Sequence, residues 1–358
     1  MNQRWSARPY KDGDEESILE LWKAVRPNKE YDRVKWLRWR RWMYKENSAG
    51  NGIVWLAEDN DKIVGHYAIV PVLMNFGSYT LIGAQSLDTM THPDYRYQGI
   101  FETLAKAVYK EAANKGINII YGLPNQFSHH GLIKLDWVDV RNMQMMLKPF
   151  NWRNALNLKI KNRFLQVVLA TGAGLIFNEP FWRIQKTPAI EGLNITQITS
   201  FDERFDEFWT TISNQSQIMV VRNRDYLSWR YSTPDTNYSI FAAEKDHRIS
   251  GYMVLLNKMR KDVKGTIICD LMFQSEEIMP CLISTAIEES RQKGADFILY
   301  YSITNKTYQR ILKKNGFISL PFIMGQYLCI YSSSPSISKE FLSNPQNWLI
   351  QPGDSDAV

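Results

Sequence analysis

Four stretches of this chain recur in the same order in its second half, and that repetition restricts the fold more than any single motif. WLRWR at Trp36 to Arg40 returns as YLSWR at Tyr226 to Arg230. VGHYAIV around Gly65 returns as SGYMVLL around Gly251, and GAQSLDTM with Asp88 returns as TIICDLMF with Asp270. NQFSHHGLIKLDW, Asn125 to Trp137, returns at equal length as NKTYQRILKKNGF, Asn305 to Phe317. Four similarities in one order read as a tandem duplication of a single α/β unit. A chain of 358 residues has room for two such units, each with its own core. The expected division is 1–149 for the first unit, 150–190 for a linker, 191–333 for the second unit and 334–358 for a tail.

Local patterns fill in the first unit. A short strand at Trp5 to Pro9 precedes DGDEESILELWKAV, whose acidic first turn and apolar Ile18, Leu19, Leu21, Trp22 and Val25 predict a helix. The Trp/Arg-dense segment Trp36 to Trp42 reads either as an aromatic stacking platform or as a helix with a core-facing aromatic side and snorkelling arginines. IVWLAED and KIVGHYAIVPVLM read as strands joined by a polar turn at Glu58 to Lys62. A strand from Leu81 to Met90 runs into THPDYRYQGIFETLAKAV, Thr91 to Val108, which reads as strand end, tight turn and apolar-striped helix. Gly116 stops that helix, INIIYG reads as a buried strand, and KLDWVDVRNMQMMLKP closes the unit with a helix tip and a strand.

The turn before the helix carries the chemistry. A helix N-terminus offers unpaired N–H groups and the positive end of a dipole, which suits a diphosphate, and Gly99 lets the backbone approach it. Arg96, Tyr97, Gln98, Gly99, Ile100 and Phe101 fill the slots of R/Q-x-x-G-x-G/A, with Phe101 where Gly or Ala is usual. That order resembles the pyrophosphate loop of the GNAT acyl-CoA N-acyltransferases. The resemblance implies an α/β (α+β) fold of two tandem GNAT-like units, each a mixed, mainly antiparallel sheet flanked by helices. It implies acetyl-CoA or another acyl-CoA as cofactor, bound by Arg96 to Phe101 and by the strand main chain at Thr89, Met90 and Thr91. Arg96 would add charge or brace the loop, and Asn125 would meet the pantetheine amides or serve a turn. The ring of Phe101 would splay the loop or stack on the cofactor.

For proton transfer, Asp88 reads as a general base in apolar surroundings or as a structural aspartate, the latter suggested by Asp270 in the second copy. The tyrosine that many GNAT enzymes use as acid is absent from Leu132 to Trp137, so His129 and His130 stand as alternatives to water. No metal site is indicated: the three cysteines, Cys269, Cys281 and Cys329, are far apart and read as buried and reduced. With no Cys in the first half, direct attack in a ternary complex is expected.

The second copy lacks the loop. QSEEIMPCLIS stands in its place, with Glu276 and Glu277 where an anion would sit, so this copy reads as a wall, lid or substrate platform. The linker carries six basic and no acidic residues from Arg141 to Phe177 and ends in 14 uncharged ones, too few to span a bilayer. It reads as a packed helix, with a basic membrane contact through 148–177 the less favoured reading. The tail is expected to fray or to dock through Trp348. A net charge of +6 suits an anionic cofactor and falls short of a nucleic-acid footprint, so no nucleic-acid partner is expected. The N-terminus has no apolar signal region, and a cytoplasmic location is expected. The function implied is N-acylation, acetylation first, of a small-molecule primary amine; a surface-polysaccharide amino sugar follows from family analogy. The alternatives are a Fem-type aminoacyltransferase and a CoA-sensing or scaffold protein without catalysis.

Overall fold

The computed structural model describes residues 4–151, 189–260, 262–303, 305–320 and 327–356. Most of the linker at 150–190, and with it most of the 148–177 stretch, lies outside them. The first half runs β1 (Ser6–Pro9), α1 (Glu15–Val25), α2 (Arg33–Lys45), β2 (Ile53–Asp59), β3 (Lys62–Phe76), β4 (Tyr79–Thr91), α3 (Ile100–Asn114), β5 (Ile119–Gly122), α4 (Gln126–Ile133), β6 (Val138–Asn142) and β7 (Gln144–Pro149). The helix predicted from the acidic-start segment is α1, which buries Ile18, Leu19, Leu21 and Trp22. The polar turn between β2 and β3 places Asn60 and Asp61 at positive φ, a conformation their short polar side chains tolerate.

The second half repeats this plan. It runs β8 (Asn194–Ile198), α5 (Arg204–Ile212), β9 (Ile218–Val220), α6 (Arg224–Arg230), β10 (Tyr238–Lys245), β11 (Arg248–Arg260), β12 (Val263–Phe273), α7 (Ile278–Gln292), β13 (Phe297–Ser302), α8 (Lys306–Lys314) and β14 (Ile318–Leu320). β15 (Tyr327–Ser332), α9 (Lys339–Ser343) and β16 (Trp348–Leu349) follow. α3 and α7 are each 15 residues long and cross their sheets at the paired glycines. A Cβ on Gly65 would lie 2.4 Å from Ile100 Cγ2, and one on Gly251 would lie 3.1 Å from Ile278 Cγ2 and 3.2 Å from Leu282 Cδ1. Close helix approach is what glycine supplies at both places.

Two mixed, mainly antiparallel sheets result, flanked by helices. One has the order β1-β2-β3-β4-β5-β15-β6, with β9 and β16 added beside β3; the other is β14-β7-β13-β12-β11-β10-β8. Neither is made by one contiguous half. The segment expected to close the first unit as one strand is two, and they part: β6 stays in the first sheet while β7 pairs with β13 and β14 in the second. Reciprocally, β15 leaves the second half to pair with β5 and β6. Each sheet is therefore completed by the other half's last strand. The largest core cluster follows suit, joining Met74, Phe76 and Tyr121 to Phe205, Tyr252 and Leu271. Among the described residues no helix is long and apolar enough to cross a membrane.

Candidate active site

β4 and β5 pair in parallel only from Ala84↔Ile120 to Ser86↔Gly122. Beyond Ser86 they diverge, leaving a wedge whose one edge is Leu87 to Thr91. A turn at Pro93–Tyr95 then leads to Arg96, Tyr97 at φ 63°, and Gly99 at φ 79°, which caps α3. A Cβ on Gly99 would meet nothing within 4 Å, so the left-handed backbone is what requires glycine, and the space before it is open. The first intrahelical bond is Thr103 N–H to the Gly99 carbonyl. Among the described residues, no acceptor is bonded to the N–H groups of Gln98 to Glu102. Arg96, Tyr97 and Gln98 are exposed beside them. Among the described residues no hydrogen bond or ion pair engages the Arg96 guanidinium, so it does not brace the loop carbonyls there. Phe101, in the first turn of α3, is half-buried. Its ring meets Tyr67 edge-on at 5.7 Å and lies over Gly131, where any Cβ would fall 2.9 Å from it.

Asp88 does not sit in the apolar surroundings expected for it. β4 bulges here: His66 pairs with Met90 and Ala68 with Leu87, so Asp88 and Thr89 together oppose Tyr67. Asp88 adopts φ 53°, and its carboxylate turns toward α1 and α2. Buried Arg40 contacts Oδ2 at 3.3 Å, and Arg26 approaches Oδ1 at 4.0 Å. His66, fully buried, donates from Nδ1 to the Asp88 carbonyl at 2.7 Å; its Nε2 is then the acceptor for Arg40 at 3.3 Å. Burial first, then the neighbouring Arg40 charge, push His66 down to about 4, so the ring is neutral. Under the Arg40 guanidinium, 4.6 Å from its ring centroid, lies Tyr44. The Tyr44 hydroxyl is buried without a hydrogen-bond partner, the one such side-chain atom among the described residues. Burial and then the Asp88 charge raise it well above the ordinary phenol range.

The second half and the tail close over this cluster. Trp42 and Trp229 stack at 5.0 Å, each indole N–H donating to the other's main-chain carbonyl, at 3.0 and 3.2 Å. The repeated Trp/Arg segments thus meet face to face, and Arg38 pairs with Asp235 beside them. The tail is docked. Trp348 is buried, and Gln351 to Ser355 are clamped by Arg230 on the Gly353 and Ser355 carbonyls and by Arg222 on Asp354, at 2.7 Å. Asp356, beyond the clamp, keeps an exposed side chain yet has its carboxyl raised by burial first and by Asp88 second.

The same tail fills the second sheet's equivalent of the wedge. β12 and β13 pair only from Gly265↔Phe297 to Ile267↔Leu299. Past that point Gln351 accepts from Leu271 N–H at 3.0 Å and from the Tyr300 hydroxyl, and its amide donates to Asp270. Leu271 stands where Thr89 stands in the first copy. Glu276 is turned away into contacts with Thr307 and Arg310. Among the described residues the tail occupies the second wedge, and no such contact is seen in the first.

Asn125 caps α4 by accepting from Ser128 N–H, as Asn305 caps α8, so both serve their helices. His129 is half-buried, its Nε2 2.6 Å from Asp139 Oδ1, and His130 is exposed. No hydrogen bond or ion pair among the described residues joins either to Asp88. Sequence patterns point to Arg40, within the Trp/Arg-dense segment Trp36 to Trp42 and through its recurrence as Arg230, but not to Tyr44, Arg26 or His66 as site residues. Strand exchange also overturns one premise, because Cys329 enters the first sheet on β15. Its buried thiol donates to Asp139 at 3.1 Å, so it is no nucleophile facing the wedge.

Residues 6–137 match the family model described as an acetyltransferase (GNAT) domain. No curated protein matches the chain. Among solved structures, a GCN5-related N-acetyltransferase from Anabaena variabilis is similar at TM-score 0.63 and 13% identity, over 91% of this chain and 72% of that one. An Enterococcus faecalis protein described as a probable N-acyltransferase gives 0.61 and 9%, over 92% and 72%. A GCN5-related N-acetyltransferase from Kribbella flavida gives 0.60 and 13%, over 91% and 70%. These likenesses show that the fold of this chain is theirs.

Proposed function

We propose that this chain transfers an acyl group, acetyl first, from acyl-CoA to the nitrogen of a small-molecule primary amine, and that an amino sugar is the acceptor class to try first. The observation that carries the reading is the row of unbonded N–H groups at the head of α3, beside the wedge where β4 and β5 part. The loop Gln98 to Phe101 with Arg96 would hold the CoA diphosphate, and the strand edge Thr89 to Thr91 the pantetheine arm. The thioester carbonyl would then lie near the bulge, where a strand N–H meets the developing oxyanion. The amine attacks that carbon directly and loses one proton, and the departing CoA thiolate takes one up.

Asp88 and Asp356 bring two carboxyl groups, and Arg26 and Arg40 two guanidinium groups, to the acceptor side of this site, with the neutral, buried Tyr44 hydroxyl beside them. In this reading Asp88, held by Arg40 and Arg26, orients the acceptor, and Tyr44 bonds it. His129 and His130 lie on α4, on the β5 side, and receive no step. A second reading, CoA binding without catalysis, is favoured by one observation: both arginines already engage the Asp88 carboxylate.

Thiol release from acetyl-CoA, measured over a panel of amines led by amino sugars, separates the two. We expect amine-dependent release, and a fall of roughly tenfold in kcat/KM for Tyr44→Phe with the melting temperature unchanged or raised, since that substitution removes an orphaned polar group. No release with any amine, from a chain that still binds CoA, replaces the enzyme with the binding protein.

A further inference from the structure

We propose that His129, Asp139 and Cys329 form a binding site for a divalent ion of the zinc class, which clips the exchanged strand β15 to the first unit. The three ligand atoms come from α4, β6 and β15 and lie within 4.8 Å of one another. His129 Nε2 is 2.6 Å and Cys329 Sγ 3.1 Å from the same oxygen, Asp139 Oδ1. Cys329 and Asp139 face each other in the strand register at a bulge, and Tyr327, two residues before Cys329, stacks on the imidazole at 4.0 Å. The ring plane and two of the three backbones are thus fixed before any ion arrives.

The donor set decides the class of ion. One thiolate, one imidazole and one carboxylate suit a borderline-soft cation and not magnesium or calcium, which take oxygen. Metal–ligand bonds of about 2.0 to 2.3 Å at tetrahedral angles separate ligand atoms by roughly 3.3 to 3.7 Å, so the two contacts to Asp139 need to open by under about 1 Å and the sulfur–nitrogen span to close by about 1 Å at most. Asp139 is exposed, which leaves a fourth position for water. A cysteine–histidine nucleophile pair is the competing reading, and the geometry rejects it, because the carboxylate stands between thiol and imidazole.

Binding replaces two shared protons by one cation. The Cys329 S–H bond breaks and its proton leaves to solvent; the imidazole carries its proton on Nδ1 and gives Nε2 to the metal. Thiolate, carboxylate and divalent ion sum to zero charge. No motif spacing shows this site, since its ligands are 10 and 190 residues apart and only the strand exchange joins them. It stands whether or not the wedge takes acyl-CoA.

Cobalt(II) titrated into the chelator-stripped full chain tests it. The expected result is one equivalent bound, with the visible bands of a tetrahedral ion, a near-ultraviolet thiolate charge-transfer band and release of about one proton. Cys329→Ser loses the charge-transfer band and binds at least roughly tenfold more weakly, as does His129→Gln, whose site is half-exposed and tolerant of change. Zinc displaces the cobalt. No bands at one equivalent, or bands that survive either substitution, overturn the site; should Cys329→Ser not fold, His129→Gln alone decides.

Discussion

At the scale of single residues, His66 reports on the cluster that surrounds Asp88. Its folded value of about 4 lies below the ordinary 6.5 because burial and Arg40 both oppose a second proton. Between those values the unfolded chain binds the proton and the folded chain does not. Stability is therefore complete above about pH 6.5 and falls as pH drops toward 4, by about 2 kcal/mol at pH 5. Urea unfolding at pH 7.5 and pH 5 should show that loss in the wild type and a loss smaller by about this amount in His66→Gln; equal losses would remove His66 from the account. The sequence disclosed this site unevenly. The loop Arg96 to Phe101 is six consecutive residues whose backbone needs are local, so it was legible. Asp88 was legible as a residue, but not its company. Arg26, Arg40 and His66 are 62, 48 and 22 residues away, and no periodicity relates them. The Tyr44 hydroxyl has no sequence signature, because an absent partner leaves none.

At the scale of elements, the repeat was legible because packing repeats with it. Gly65 and Gly251 admit the same two turns of helix, yet with different clearance: 2.4 Å from the nearest atom to a Cβ at Gly65, against 3.0 Å at Gly251. Gly65→Ala should cost about 1–3 kcal/mol through overpacking of Ile100 and Leu104, and Gly251→Ala less. Guanidinium unfolding of the pair checks the order; a larger cost at Gly251 would show that the helix crossings are not equivalent. What an element's pattern does not encode is its neighbour. β7 and β15 are short apolar runs with three or more consecutive buried residues, and nothing in QMMLKP or YLCIYS says which sheet receives them. The reading of β6 and β7 as one strand failed for the same reason: hydrophobic periodicity continues through Met143 while the chain crosses from one sheet to the other.

At the scale of the molecule, reciprocal strand exchange and a clamped tail make the halves interdependent. Arg222, Asp270 and Asp354 form an ion-pair triad that is 0–2% exposed, and it joins the tail to the second sheet. Asparagine at 354 leaves Arg222 paired with Asp270 but weakens the charge-assisted bonds that Asp354 accepts from Arg222 and from Gln351 N–H, at a cost of about 2–3 kcal/mol. Asp354→Asn should therefore unfold both sheets in one transition at lower denaturant; two separated transitions would mean that the units are independent despite the exchange. The sequence implied two copies and a single working loop, but it gave no sign that the tail occupies the second copy's slot, since that contact runs between residues 80 apart. The proposed CoA site is the wedge of the first unit, beside the unbonded N–H groups at the head of α3. Calorimetric titration with CoA tests it most directly. One equivalent should bind per chain, and Gly99→Glu, which strains a φ of 79° and adds negative charge to the cradle, should abolish binding. Two equivalents per chain, or unchanged binding after Gly99→Glu, would contradict it.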